Sequence, residues 1–390
     1  MFVPRQEGIP VCETLRNIQG RTGLLAAVAA VALLAATQLH AQAIGFVFNN
    51  NPTTPGTTTS DPAYSYNSSG GAISITRNAR GNYSVTFAGL GNALNSNVQL
   101  TALGRGPDYC ISGGWASPNG SDVQADVFCY NKAGSLADHS FNMLYQARES
   151  GDATTPTVAF LWADQPTASS YTPDLSYQYN PTGGTNTITR NGTGSYTANL
   201  PGLTKRGGTV LVTAYGTTAA HCQVMNWISG SSGTNVDVTC TDATGAAADE
   251  EFSLVYSINE TAGYGPGSAN GGAIWASNET KTAPYNVSGK YSIAIDGEEM
   301  TAQRIAKGRY AWTMTVEPTW TSSTVLVTAY NAPGNYCSVD GWNSNSTTTT
   351  VYVNCFDAAG MPANTRFTAT FQLAGVCTTA GSTAGSCAAK

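Results

Sequence analysis

Three pairs of cysteines with nearly equal spacing constrain the fold of this chain more than any other feature. At separations of 19, 18 and 18 residues, the pairs are Cys110/Cys129, Cys222/Cys240 and Cys337/Cys355. Five residues after the first cysteine of each pair stands a tryptophan: Trp115, Trp227 or Trp342. Matching features at a long, regular period are typical of tandem homologous units. The sequence therefore predicts three copies of one unit, each closing its own disulfide.

A nine-residue stretch occurs once in each copy and fixes the alignment of the copies. It reads ITRNARGNY at residues 75–83, ITRNGTGSY at 188–196 and AQRIAKGRY at 302–310. The pattern predicts a strand, a turn at the glycine and a second strand. The shared arginine is expected to form a structural ion pair or hydrogen-bonding centre, with anion binding as the alternative. The expected pairs are Arg77 with Asp138, Arg190 with Asp249, and Arg304 with Asn364.

Strand patterns fill the rest of each copy. Segments such as NYSVTF, VLVTAY and FSLVYSI alternate apolar and polar residues and are rich in Val, Thr and Tyr. Short strands with frequent turns predict an all-β fold of three tandem antiparallel β-sandwich domains, immunoglobulin-like or jelly-roll-like. The predicted domains are residues 44–149, 157–259 and 272–376. The tail, residues 377–390, is expected to be closed by a fourth disulfide, Cys377–Cys387.

The start of the chain has the layout of a secretory signal peptide. Arginines precede an apolar run at residues 24–36, and the small-x-small sequence Ala41-Gln42-Ala43 follows. The run is shorter than the ~20 residues that a transmembrane helix needs. Residues 1–43 are therefore predicted to be removed, and the mature chain to be secreted, extracellular or periplasmic, without a membrane span. An N-terminal membrane anchor is the alternative.

Low charge restricts the partners. Charged residues make up 11% of the chain, with 18 Lys and Arg against 24 Asp and Glu, and no basic cluster occurs. Nucleic acids and anionic membrane surfaces recruit proteins through concentrated positive charge. We therefore expect no nucleic-acid partner and consider a polysaccharide or cell-surface component instead.

Two sets of aromatic residues could bind such a partner. The tryptophans beside the cysteines, Trp115, Trp227 and Trp342, are expected to belong to the core, with ligand contact as the alternative. Trp162 and Trp275 take the place of Phe48 in the first strand of their copies and are the tentative ligand contacts, because exposed Trp can stack on sugar rings. The alternative is that they close the core.

Other polar residues are given structural roles. The Asn or Asp two residues after the second cysteine is expected to cap a turn with its side chain, with a calcium site as the alternative. These residues are Asn131, Asp242 and Asp357. The acidic runs at 249–251 and 298–299 are interpreted as solvated.

Catalytic signatures are missing. His139 and His221 stand at non-equivalent places in two copies, and no nucleophile-elbow, zinc or phosphate-loop motif occurs. We therefore expect no enzyme activity, no cofactor and no metal site. The predicted function is non-catalytic, multivalent binding of a surface, carbohydrate or protein partner. A structural spacer or matrix protein without a ligand and a secreted hydrolase are the alternatives.

The sequence resembles a recurring Cys- and Trp-containing β repeat of bacterial secreted proteins. The resemblance rests on YTPDLSYQYN, TNTITRNGTGSYT and VLVTAYG, followed by Cys-x4-Trp and CxDxxG, and is strongest over residues 157–258. The third copy lacks the GGTNTITR-like run at residues 285–302. The resemblance implies secretion and a repeated β unit, and it implies no particular activity or site residues.

Overall fold

The computed structural model describes residues 43–91, 95–148, 158–259, 261, 271–294, 299–315, 322–345 and 347–374. The predicted signal peptide, apart from Ala43, and the predicted tail disulfide lie outside these residues. Within them the regular structure is β-strand, with two short 3-10 helices at Pro62–Tyr64 and Leu175–Tyr177. The all-β prediction is therefore confirmed.

The strands follow the three copies, which we call repeats 1, 2 and 3. Repeat 1 contains β1 Ala43–Phe48, β2 Gly56–Thr59, β3 Tyr66–Asn67, β4 Ile73–Ala79, β5 Asn82–Phe87, β6 Ser96–Ala102, β7 Tyr109–Ala116, β8 Val123–Tyr130 and β9 Phe141–Ala147. Repeat 2 contains β10 Val158–Ala163, β11 Ser170–Tyr171, β12 Thr187–Gly192, β13 Ser195–Pro201, β14 Thr209–Tyr215, β15 Ala220–Ser229, β16 Gly233–Asp242 and β17 Glu251–Ser257. Repeat 3 contains β18 Gly271–Ala276, β19 Tyr285–Asn286, β20 Thr301–Ala306, β21 Arg309–Thr315, β22 Ser322–Tyr330, β23 Tyr336–Ser344, β24 Thr348–Phe356 and β25 Arg366–Ala374.

Each repeat divides its strands between two antiparallel sets. We call the set with the first and last strands the back sheet: β1, β9 and β6 in repeat 1, β10, β17 and β14 in repeat 2, and β18, β25 and β22 in repeat 3. The set with the cysteine hairpin is the front sheet: β4, β5, β8 and β7, then β12, β13, β16 and β15, then β20, β21, β24 and β23. A separate buried apolar cluster draws residues from the two sets of each repeat.

The turn between the two strands of the nine-residue stretch follows the predicted chemistry. Gly81, Gly194 and Gly308 have φ values of 65°, 63° and 68°. A side chain at Gly194 would also lie 2.4 Å from the carbonyl oxygen of Cys240. Only glycine adopts this left-handed conformation at little cost and leaves that space free. The same residue type is therefore required once in every repeat.

The sheets run from one repeat into the next. The back strand β14 of repeat 2 pairs in parallel with β7 of repeat 1, and β22 of repeat 3 pairs in parallel with β15 of repeat 2. A parallel bridge between Leu103 and Val339 joins repeat 1 to repeat 3 in the same way. Each repeat thus contacts both others, and the three form a closed ring around a pseudo-threefold axis instead of a string of separate bodies.

A threonine from each back sheet ties the ring together. The backbone N–H of Leu100 donates to Thr213 Oγ1 at 3.0 Å, that of Val212 to Thr328 Oγ1 at 3.0 Å, and that of Val327 to Thr101 Oγ1 at 3.1 Å. All three hydroxyls are buried. Each hydroxyl therefore satisfies a backbone group of a neighbouring repeat, which is required when that group is removed from water.

Candidate functional site

The disulfides that the sequence predicts within each repeat are formed. Each joins directly opposite residues of one front-sheet hairpin: Cys110–Cys129, Cys222–Cys240 and Cys337–Cys355. The predicted Cys377–Cys387 bond lies outside the described residues. Structural disulfides persist in oxidising compartments and are rare where thiols are kept reduced. Three of them indicate that this chain resides in an oxidising environment.

The shared arginine forms an ion pair in repeats 1 and 2. Arg190 donates from Nε and Nη2 to the two carboxylate oxygens of Asp249, at 2.9 and 2.7 Å. The same carboxylate accepts from the Gly194 N–H and the Tyr196 hydroxyl. These donors lower the pKa of Asp249 to about 2, with the arginine as the largest cause. Arg77, Asp138, Gly81 and Tyr83 repeat the arrangement, so a structural role fits better than anion binding.

Repeat 3 departs from this arrangement. Asn364 takes the place of the aspartate and accepts from the Gly308 N–H at 3.0 Å. Among the described residues, no hydrogen bond joins Arg304 to Asn364, and Arg304 Nε is buried without a partner. A neutral amide accepts more weakly than a carboxylate and offers no charge to the guanidinium. The expected Arg304–Asn364 pair is therefore wrong.

The turn after each second cysteine forms as predicted. Asp242 Oδ1 accepts from the backbone N–H groups of Thr244 and Ala246, at 2.8 and 3.1 Å. Asn131 and Asp357 make the same pair of bonds in their own turns. The side chains therefore act as turn caps. No group of three or more potential metal-ligating side chains occurs within the described residues.

The tryptophans beside the cysteines lie where two repeats meet. Trp115 and Trp227 are 8% and 6% exposed, and Trp342 is partly exposed. Trp115 of repeat 1 contacts Trp162, Tyr177 and Tyr215 of repeat 2, at ring-centroid distances of 6.3, 5.5 and 5.9 Å. Their role therefore includes holding neighbouring repeats together, which spacing within one copy could not show.

The first-strand tryptophans occupy these same junctions. Trp162 lies 4.8 Å from Tyr215 and 5.3 Å from Tyr177 between ring centroids. Trp275 has equivalent contacts with Trp227, Tyr291 and Tyr330 of the next junction. Both side chains are partly exposed. These contacts favour the alternative that Trp162 and Trp275 help to close the core. Their role as ligand contacts stays a prediction.

The acidic run at residues 249–251 was expected to be solvated, but its side chains are partly buried and two of them form specific hydrogen bonds. Asp249 belongs to the arginine centre, and Glu251 Oε2 accepts from the Trp162 indole N–H at 3.1 Å. Burial raises the pKa of the Glu251 carboxyl to about 6 and also raises that of Glu250, and nearby carboxylates add to both shifts. The run therefore consists of three carboxylates with separate environments. The second acidic run includes undescribed residues.

A polar triad recurs on the outer face of two front sheets. In repeat 1, Asn78 Nδ2 donates to Ser84 Oγ at 2.8 Å, and Ser84 Oγ donates to Asp126 at 2.7 Å. In repeat 2, Asn191, Thr197 and Asp237 are joined in the same order, at 2.9 and 2.8 Å. The asparagines are exposed and the other members partly exposed. The sequence contained a signal for this triad, since the polar positions of three strands match between the copies.

Repeat 3 has different residues at the triad positions. Ile305, Ala311 and Tyr352 replace the asparagine, the hydroxyl residue and the aspartate. Ile305 is 45% exposed, and the Arg309 guanidinium lies 5.8 Å from the Tyr352 ring centroid. The third outer face is therefore amphipathic, whereas the first two are polar.

The pseudo-threefold axis carries a group that the motif analysis missed. The residue before the first cysteine of each repeat points to the axis, where His221 lies 3.9 Å from Tyr109 and 4.2 Å from Tyr336 between ring centroids. Burial lowers the pKa of His221 to about 3, so the imidazole is neutral near pH 7. A cavity of about 50 Å³ lies beside this stack and is lined by equivalent residues of all three repeats.

Comparison with known proteins assigns no activity to these features. The chain matches no model of a known protein family, and no curated protein matches it. Among the described residues, no helix is long and apolar enough to cross a membrane.

Proposed function

We propose that the chain is a secreted, non-catalytic binding protein that presents several copies of a polar sheet face to an extracellular polysaccharide. In this proposal each repeat is a β-sandwich of immunoglobulin-like or jelly-roll-like type. Repeats 1 and 2 supply two like sites, and the ring fixes the distance between them. The disulfides and the predicted signal peptide support an extracellular or periplasmic location.

The repeated polar triad carries this proposal. Carboxylate oxygens accept hydrogen bonds, and amides both donate and accept, which are the contacts that sugar hydroxyls offer in return. The triads at Asp126 and Asp237 present both kinds of group on partly exposed sheet faces, in the same order and at nearly the same distances. Repeat 3 forms the same strands without these three residues, so the fold of a repeat does not require the triad.

Two copies in one closed ring suit a polymer. A repeating polymer can engage a second site once the first is bound, and the second event then occurs at a high effective concentration. Weak single sites therefore give useful retention when both are intact. The amphipathic face of repeat 3 is expected to contribute differently or not at all.

The test is retention of the full chain on a panel of insoluble polysaccharides and cell-wall preparations. Asp126→Asn combined with Asp237→Asn preserves side-chain shape and removes both charges. We expect retention of this double variant to fall at least tenfold on the polymer that binds the unmodified chain. Each single variant should fall to an intermediate value, because one site remains.

Asp61→Asn with Asp174→Asn is the matched control, because it removes one aspartate that is not a triad member from each of the same repeats. Asp61 is partly exposed and Asp174 exposed, and each caps a 3-10 helix. Retention of this control should equal that of the unmodified chain. Failure of the unmodified chain to bind any polymer, or unchanged retention of the triad variant, would reject the proposal and favour a spacer without a ligand.

A further inference from the structure

The junctions between repeats 1 and 2 and between repeats 2 and 3 have the same aromatic cluster but opposite charge. Tyr215 and Tyr330 are equivalent, and each faces the first residue of the last strand of its repeat across the back sheet. That facing residue is Glu251 in repeat 2 and Arg366 in repeat 3. Equivalent strand pairs of repeats 2 and 3 therefore hold the two side chains in equivalent positions.

In the junction between repeats 2 and 3, the chain supplies its own cations. The Arg366 guanidinium lies 5.4 Å from the centroid of the Tyr330 ring, and Lys290 Nζ lies 5.2 Å from that of Tyr291. Arg366 also forms an ion pair with Glu279 at 3.6 Å. A cation within about 6 Å of an aromatic centroid is attracted by the negative face of the ring. The aromatic rings of this junction therefore already have cations of the same chain beside them.

In the junction between repeats 1 and 2, the aromatic rings are retained but the cation is not. Trp115, Trp162, Tyr177 and Tyr215 form the cluster. Carboxylates accompany them, and no described Lys or Arg forms an ion pair with Glu251, Glu250 or Asp164. Asp164 Oδ1 is buried and without a hydrogen-bond partner.

The protonation behaviour is that of acids lacking a countercharge. The pKa of Asp164 is raised, with burial as the first cause, and those of Glu250 and Glu251 are raised for the same reason. An adjacent cation would lower all three values. All three acids and the rings of Trp162, Tyr177 and Tyr215 are partly exposed, so a ligand can reach them from solvent.

We propose that the junction between repeats 1 and 2 binds an organic cation, an ammonium or guanidinium group, through the aromatic faces of Trp162 and Tyr215 and the carboxylates of Glu251 and Asp164. The equivalent junction shows the chemistry, because there a guanidinium of the same chain lies over the equivalent tyrosine. This site neighbours the triad of repeat 1, since Asp126 is among the carboxylates that raise the pKa of Tyr215, but the inference does not rest on polysaccharide binding by the triads. The ligand is a lysine or arginine side chain of a partner or a free quaternary ammonium compound.

The test titrates the full chain with L-arginine methyl ester and, separately, with choline, and follows tryptophan fluorescence and calorimetric heat at pH 7.5. Saturable binding of either probe supports the site. Arginine ester alone indicates a side chain of a partner, and choline alone indicates a quaternary ammonium compound. Absence of saturable binding of both probes overturns the proposal.

Two variants make the assignment specific. Glu251→Gln should weaken binding at least tenfold, and Glu251→Arg should abolish it, because the new guanidinium would lie over Tyr215 as Arg366 lies over Tyr330. Arg366→Gln, the matched control in the other junction, should leave the affinity unchanged. Binding that persists in the Glu251→Arg variant, with the protein still folded by circular dichroism, would also overturn the proposal.

Discussion

At the scale of single residues, the hydrogen bonding around the shared arginine differs between the repeats. The carboxylates of Asp138 and Asp249 each collect an arginine, a glycine N–H and a tyrosine hydroxyl. In repeat 3, Asn364 gives up the charge, and Arg304 Nε is left buried without a partner. An unpaired buried donor costs free energy. A carboxylate at position 364 would give the Arg304 guanidinium a partner.

Asn364→Asp is expected to stabilise the protein by about 0.5–1 kcal/mol at pH 7, because the pair with Arg304 would be partly exposed to solvent. Its carboxyl pKa would be held below the unfolded value, so the gain is present at neutral pH and lost as the pH falls below about 4. Chemical denaturation at pH 7 and pH 3 measures both effects. Asp249→Asn should show the reverse change, and an unchanged or lower stability of Asn364→Asp at pH 7 would contradict the prediction.

The axial histidine predicts a pH dependence. His221 has a folded pKa of about 3 against an ordinary 6.5, because burial disfavours its charged form, while Asp242 opposes the shift. The unfolded chain therefore binds the proton first, and stability falls as the pH decreases from 6.5 towards 3. Each proton contributes about 1.4 kcal/mol per pH unit in this window. His139 acts in the same direction, and Glu251, with its raised pKa, opposes it.

His221→Phe isolates this contribution. The variant keeps an aromatic ring between Tyr109 and Tyr336 and removes the titration. The slope of unfolding free energy against pH between 6.5 and 5 should be lower by about 1 kcal/mol per pH unit than that of the unmodified chain. The comparison uses the slopes and is independent of any change in absolute stability. Equal slopes would show that His221 has the same pKa in the folded and the unfolded protein.

At the scale of elements, the capped turns are both local and long-range structures. Gly245 ends the Asp242 turn with a φ of +87°, and a Cβ there would lie 2.6 Å from the Ala358 Cβ of repeat 3. Gly134 has the equivalent relation to Ala243 of repeat 2, at 2.9 Å. Glycine is therefore favoured at this position for two reasons, the left-handed backbone conformation and the close approach of the neighbouring repeat.

Gly245→Ala separates these two demands when it is compared with Gly183→Ala. Gly183 has a similar φ of +76°, but no atom lies within 4 Å of the position that an added methyl group would take. Both changes should cost about 1–2 kcal/mol for the left-handed backbone. Gly245→Ala should lower the melting temperature further, since it also pushes repeats 2 and 3 apart. Equal melting temperatures of the two variants would show that the turns do not contact tightly.

At the scale of the whole molecule, stability belongs to the ring. Two buried apolar clusters contain residues from all three repeats. Phe160, Leu211 and Val255 of repeat 2 lie in the first of these clusters and are at most 3% exposed. A single repeat would expose these side chains together with the unpaired edge of β14.

Residues 158–259 expressed alone, with the disulfide intact, are therefore expected to self-associate or to unfold at a much lower temperature than the full chain. Analytical ultracentrifugation and thermal unfolding measure the two outcomes. A stable monomer with a melting temperature equal to that of the full chain would show that the repeats fold independently and only touch one another. The full chain, rather than one repeat, is consequently the material for the binding experiments above.

Local rules made several features readable from the sequence. A turn glycine, a capping Asn or Asp and a disulfide within one hairpin each depend on residues no more than about 20 positions apart. Each of these features occurs three times in the sequence. The alternation of NYSVTF predicts a strand with one buried face, which the structure contains as β5. The arginine–aspartate pairs follow from the aligned copies. The sequence by itself thus determined the β class, the repeat and its staples.

Only the tertiary structure decided which repeat each edge strand pairs with. The strand β14 is buried on both faces over most of its length, and VLVTAY is apolar enough to suggest such burial, but not its partner. The positions of Trp115 and Trp162 follow from that pairing, because each junction brings together residues of two different repeats. No pattern within one copy shows which residues of the other copy they contact. Local propensities act within a strand and its turn, whereas the closure of the ring depends on the shape and burial of three repeats at once.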